Sequence, residues 1–535
     1  MKPSTCSAIA PPGAEIEPAA NWPTLLAVAV FSAALLRGHW LALGLLRSYP
    51  SATLLALVAV LAFCIAASGM TYEAAPRPLR TLMRGLGIAC GLYSILLYPS
   101  VPAIAHDFNG WSQFMLSAAW LSAGLAALLA MQRPAWLLYC GFYVYWIKHA
   151  AGYITGFPYE TQLDVYPLIQ LPAYLAASLL ALELVKRAWP AGRKHLDGAA
   201  PYWTVLFIAV AMQAANYFYS SLAKGSLDGG VLDWVLNNEN RNIYHIALHN
   251  KQLLWGDWTA LTGAVSSLLQ LVGRPFAVGV FLIQLSAILV FSNRRLLLLL
   301  FALFDLMHLG IFVLVGANFW TWFMVNLSII AATSQLPRSA FNWRTGAAGA
   351  LAIALSPLFA HVARLGWYDS LAVNEVYFEV MQKDGGTARV PSTAFGFYSY
   401  PIAHMSFGLP PGNYLPTATN GGTLSSAVLR QSYRCDFSSS APAAGAAWNG
   451  AALSAFIRGF HRQVLGKTGP DGRWSNQLYP HHFWSAPSVE HAFAGVDMRS
   501  VDAYRLVVES VCLDPDSGAL KRKVYPNEYR IGLAG

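Results

Sequence analysis

The sequence predicts an all-α polytopic membrane bundle of about eleven transmembrane helices, followed by an α+β or mostly β domain outside the membrane. Three observations carry that expectation. Of 535 residues, 56% are hydrophobic and only 11% charged, whereas soluble domains carry about 25% charged residues. Apolar runs long enough to cross a bilayer as helices, about 20 residues each, recur as far as residue 363. Beyond it, residues 364–535 lose those runs and alternate apolar with polar residues on either side of Asp/Gly turns, the mark of hairpins.

The elements follow in order. Residues 1–21 carry one lysine and two glutamates among prolines and alanines, which is no secretory signal peptide and reads as a short disordered cytoplasmic tail. The transmembrane domain, 22–363, holds apolar runs at 22–46, 51–70, 83–103, 112–131, 135–156, 165–186, 202–223, 275–292, 296–315, 318–334 and 345–363. Basic residues cluster between them: Arg77, Arg80 and Arg84, then Arg133, then Lys186, Arg187, Arg193 and Lys194, then Arg294 and Arg295, then Arg338 and Arg344. Positive loops stay cytoplasmic. All five fall on one side if "WGDWTALTGAVSSLLQLVG" (255–273) is a re-entrant or interfacial helix that does not cross. The N-terminus is then cytoplasmic, and Lys224 and residues 364–535 lie on the periplasmic, extracellular or lumenal side. The net charge of +9 therefore sets orientation. No basic patch with interleaved aromatics points to nucleic acid, and the bilayer is the first partner.

In the outer domain, "NEVYFEVMQKDGGTARVP" and "YRLVVESVCLDPDSGALKRKVYP" each read as a hairpin. Cys435 and Cys512 are its two cysteines. A disulfide between them fits an oxidising compartment, and two buried free thiols fit as well.

Several chemistries lack their motifs: no Walker loop, no C-x-x-C, no H-E-x-x-H and no G-x-S-x-G is present. His481 and His482 in "YPHHF" are adjacent, so they point in different directions, and no metal is expected. Polar groups inside apolar runs are more informative, because they are costly there and usually face a cavity or a partner. They are Arg37 and His39; Lys148 and His149; Lys224 in "NYFYSSLAKGSLDGG"; Asp305 and His308, three apart and so on one helix face; and Asn318 with Asn326. Lys224 has two readings. It snorkels into the headgroups, or it is a base kept neutral by burial in a pocket lined by Tyr217, Phe218, Tyr219 and Trp234.

"NYFYSSLAKGSLDGGVLDWVLNN" resembles the stretch of the vitamin K-dependent gamma-glutamyl carboxylase family in which a Tyr- and Phe-rich helix ends in lysine, followed by Leu-Asp and Asp-Trp-Val. "LFALFDLMHLGIFVLVGANFWTWFMVNLSII" resembles a later helix of that family, and the wider group is the HTTM domain of carboxylase-like membrane proteins. The resemblance covers roughly residues 135–334. It implies that Lys224 takes a proton from reduced vitamin K or a similar quinol. Oxygen then turns the quinol into an epoxide through a strong base that deprotonates a peptidyl glutamate, to which carbon dioxide adds. It further implies that His149 helps to hold the reacting intermediate, with His308 and Asn326 in the quinone pocket. The chain departs from the family in having Ala223 before Lys224, in a loosened Leu227-Asp228 to Asp233-Trp234 spacing, and in a shorter outer domain. A non-catalytic HTTM protein that binds or matures a secreted peptide, and a transporter, remain as alternatives.

Overall fold

Helices form where the apolar runs lie. The structure, a computed structural model, describes residues 22–49, 52–69, 75–97, 110–155, 165–188, 196, 198–437, 447–474 and 483–533. The tail 1–21 and His481 and His482 lie outside the described residues, as does the side chain of His149.

The bundle comprises α1 (Trp22–Ser48), α2 (Ala52–Ala66), α3 (Arg77–Leu97), α4 (Gly110–Ala130), α5 (Ala135–Thr155), α6 (Tyr166–Ala188), α7 (Ala200–Gly225), the short α8 (Asp233–Asn237) and α9 (Asn240–His249), α10 (Thr259–Leu285), α11 (Arg294–Val315), α12 (Trp320–Thr333) and α13 (Trp343–Leu355). Each of the eleven apolar runs overlaps a helix among the described residues. Among the described residues six helices are long and apolar enough to cross a membrane: Leu26–Ser48, Ala52–Gly69, Tyr166–Ala188, Ala200–Gly225, Thr259–Leu289 and Arg294–Val315. The helices α12 and α13, of 14 and 13 residues, reach only about 20 Å against a hydrocarbon core of about 30 Å.

One boundary differs from expectation. Residues 259–285 form a single helix that contains Pro275, so 255–273 is not a separate element but mostly the first half of one helix long and apolar enough to cross a membrane. Inside a bundle the freed backbone groups find other partners and the helix continues, as it does through Pro172 in α6.

Burial orders the bundle. In α6 and α7, 78% and 72% of the apolar window is buried, against 22%, 17%, 28% and 28% in α1, α2, α10 and α11; α6 and α7, with the equally buried α5, form the centre, and those four lie further out with apolar faces exposed. Helix starts are fixed by side chains: Asn293 accepts from the Leu296 N–H at 2.8 Å, and Asn342 from the Arg344 and Thr345 N–H groups, which satisfies otherwise unpaired donors. The arginine-bearing turns meet at one end, where Arg84 donates to Met131 O, Arg294 to Leu336 O, and Gln335 to Thr81.

The opposite end carries the C-terminal domain. Its main sheet has the order β3 (Thr387–Val390), β2 (Ala372–Gln382), β5 (Val501–Leu513), β6 (Leu520–Gly532), all antiparallel, and a small second pair joins β1 (Tyr368–Asp369) to β4 (Gly422–Thr423). Both predicted hairpins form, β2–β3 and β5–β6, with Gly385 and Gly518 at positive φ in their turns. Helices α14 (Ser399–Ala403), α15 (Ser426–Arg434), α16 (Gly450–Leu465) and α17 (Pro487–Ala494) complete the domain. It joins the bundle through Ser426 N–H to Asp228, Arg389 to Asn250 O, Ala486 N–H to Lys251 O and Trp484 N–H to Gly316 O.

Candidate functional site

Positions 213, 217, 220 or 221, and 224 of α7 recur every three or four residues, so the five lie on one side of the helix. All five carry polar groups and all are buried. The face has two clusters, one at the helix end and one deeper.

At the end stands Lys224, 8% exposed. Its amine donates to Leu365 O at 2.7 Å, to Gln284 Oε1 at 3.0 Å and to Ser220 O at 3.4 Å. Three acceptors match the three N–H groups of an ammonium, yet all are neutral, and no carboxylate among the described residues is in ion-pair contact with it. The Trp234 ring lies 5.2 Å from the amine, a cation–π contact of about 2 kcal/mol where water is excluded. Trp234 is held in turn by its indole N–H, which donates to Trp367 O at 2.8 Å.

The segment between α13 and β1 runs extended past these groups, fastened at every second residue. His361 exchanges main-chain bonds with the Gln170 amide at 3.2 Å. Ala363 N–H donates to Asn216 Oδ1, and Leu365 N–H to Ser220 Oγ. Leu365 O and Trp367 O accept from Lys224 and Trp234, and Asp369 N–H donates to Asn238 Oδ1 at 2.7 Å. Alternation of period two brings odd-numbered residues to one side of an extended chain. Gly366 lies tight against the Ala223–Lys224 backbone, where a Cβ would collide.

The Asp369 carboxylate interacts electrostatically with the Lys224 amine without forming an ion pair. Its carboxylate accepts from Asn238 Nδ2 at 2.9 Å and Trp367 Nε1 at 3.1 Å. Burial pushes its pKa up to about 6; those two donors and the Lys224 charge pull the other way without offsetting it.

The deeper cluster joins three helices. Asn326 of α12 donates to Tyr217 OH and to Asp305 Oδ1, both at 2.8 Å, and accepts from Gln213 Nε2 at 3.0 Å. Tyr217 stacks on Phe304 with centroids 3.7 Å apart, and His308 lies between Phe319 and Trp322. Asp305 Oδ2, His308 Nδ1 and Gln213 Oε1 are buried without a hydrogen-bond partner. Gln284 stands between the clusters, accepting from Lys224 through Oε1 and directing Nε2 at Met307 Sδ, 3.4 Å away.

Of the residues named from sequence, Lys224 and Trp234 meet in the outer cluster and Tyr217, His308 and Asn326 in the deeper one. Phe218 and Tyr219 leave this face: the Tyr219 hydroxyl donates to Ala354 O at 2.6 Å and its ring receives Arg364 at 5.6 Å, because neighbouring helix positions are turned about 100° apart. They do not line the Lys224 site. Asp228 and Asp233 serve as ties, to Ser426 N–H and to the Tyr368 hydroxyl. Cys435 and Cys512 are joined, with Cα atoms 5.8 Å apart. Sequence reading passed over Gln213, Gln284 and Asp369. The two glutamines, lone amides within apolar helices, carried the signal that exposed Asn326. No family model matches the chain, and no curated protein or solved structure matches it either.

Proposed function

We propose that the chain is a membrane enzyme in which the Lys224 amine acts as a base toward a lipid-soluble quinol. Dioxygen converts the deprotonated quinol to an epoxide, and γ-carboxylation of a peptidyl glutamate, consuming carbon dioxide, is the coupled step. The observation that carries this reading is the setting of the amine. A lysine kept only as an anchor reaches toward headgroups and water, whereas Lys224 turns inward among neutral oxygens and an indole ring. Giving up the 3.4 Å contact to Ser220 O leaves two N–H donors engaged and frees the lone pair that a base requires. The resemblance of residues 216–238 to the carboxylase family supports the same role, with reduced vitamin K or a similar quinol entering from the bilayer. On this reading the chain is an HTTM-type protein with eleven crossings and an outer domain beyond the cytoplasm.

The test is epoxide formation from a naphthohydroquinone under oxygen by the purified protein in nanodiscs. Lys224→Ala lowers the rate by about a hundredfold or more. Lys224→Arg does the same, because a guanidinium does not give up its proton. Absence of epoxide from the wild-type protein with several quinols overturns the proposal.

A further inference from the structure

Asp305, His308 and Gln213 pose a problem that the outer cluster does not solve. A carboxylate oxygen, an imidazole nitrogen and an amide oxygen are each left without a partner inside a helical bundle, where each such group costs about 1–3 kcal/mol and no water competes to repay it. Asp305 and His308, 5% and 8% exposed, stand one helical turn apart on α11. The other half of this network is complete, since Asn326 uses both amide N–H bonds and its oxygen on Tyr217, Asp305 and Gln213. Two acceptors and an imidazole left open beside aromatic rings suit one kind of guest, an aromatic ring that bears a hydroxyl. The rings of Tyr217, Phe319 and Trp322 supply its apolar walls, and Asp305 Oδ2 accepts its O–H.

Spacing relates this opening to Lys224. Seven residues of α7 separate Tyr217 from Lys224, a rise of about 10 Å. The two oxygens of a para-quinol, roughly 6 Å apart, with a hydrogen bond of about 3 Å at each end, cover about 12 Å. One quinol headgroup thus matches the rise between the two clusters, with the Gln284 side chain, which stands between them, turning aside to admit it.

We infer that Asp305, assisted by His308, binds the second hydroxyl of the quinol and takes its proton, as Lys224 takes the first. This rests on the proposed quinol chemistry. The balance closes: the quinol loses two hydroxyl protons and gains one oxygen atom from dioxygen. The other oxygen atom leaves as water: without carboxylation the water carries the two protons that Asp305 and Lys224 had accepted, and with carboxylation it carries the glutamate γ-proton and one of those two, the other being released to solvent as the new carboxylate forms.

The experiment is binding without turnover. A naphthohydroquinone and the matching naphthoquinone are titrated under argon into the full chain in nanodiscs, and tryptophan fluorescence is followed. The quinone has the same ring and no O–H to give. The wild-type protein prefers the quinol by tenfold or more, Asp305→Asn loses the preference, and Asp305→Glu restores part of it. Should Asp305→Asn fail to fold, His308→Gln is read in its place and is expected to reduce the preference. A preference unchanged in Asp305→Asn or in His308→Gln overturns the inference, and so does absence of any quinol binding by the wild-type protein. An Asp305-dependent preference with no epoxide when oxygen is admitted leaves this site standing and removes the turnover reading alone.

Discussion

Asp369 illustrates what one residue can report. The carboxyl titrates near 6 rather than at its ordinary 3.8 because it is buried. Between those values the folded chain holds a proton that the unfolded chain has lost, so stability is full below about pH 4, falls as pH rises toward 6, and is level above. The shift corresponds to about 3 kcal/mol. Thermal unfolding in detergent between pH 4 and 8 is expected to show that decline in the wild-type protein, and Asp369→Asn is expected to flatten it; equal slopes in the two proteins rule the assignment out. Lysine 224 was legible at this scale because a charge stands out in an apolar run. Its shortest bond was not, since the acceptor is the main-chain oxygen of Leu365, and a carbonyl is the same in every residue.

Elements were legible where local pattern decides. Gly385 and Gly518 mark turns, and the alternating residues around them give β2, β3, β5 and β6. The pairing of β2 with β5 was not readable, because Glu375 and Glu509 meet across 134 residues of chain, a distance over which a strand's own sequence names no partner. The Cys435–Cys512 bond has the same long-range character: it fastens the end of α15 to β5 across a separation of 77 residues. Closing a loop of that size stabilises a domain by about 4.5 kcal/mol in the chain-entropy picture. Cys435→Ser, or reduction, is expected to lower the unfolding temperature of the outer domain, with the helical content unchanged in circular dichroism at temperatures below that transition. An unaltered melting profile counts against a structural bond.

At the scale of the whole molecule, charge foretold arrangement. Arg84 and Arg294, near the starts of α3 and α11, meet the Met131 and Leu336 carbonyls at one end of the bundle, and the C-terminal domain packs on the other through Asp228, Asn250, Lys251 and Gly316. In a Cys6→Ser background, an impermeant maleimide is expected to label Asp471→Cys on intact cells or spheroplasts, and Arg344→Cys only after permeabilisation; the reverse pattern inverts the topology. What composition did not foretell is that the C-terminal domain and Lys224 share a connection, the stretch from His361 to Asp369, so that the site in the helical bundle is completed by the segment that leads into the C-terminal domain.

That stretch behaves as a ruler. Its odd residues are fixed to Gln170, Asn216, Ser220, Lys224, Trp234 and Asn238, and an extended chain changes face with each residue. Side chains at 362 and 364 can vary with little effect on those ties. Length cannot: one residue inserted or removed would present the wrong edge to every fastening beyond it, and the Leu365 carbonyl would no longer meet the amine. Divergent copies of this chain should therefore gain and lose residues freely in the turn at 384–386 and keep a constant count between α13 and β1.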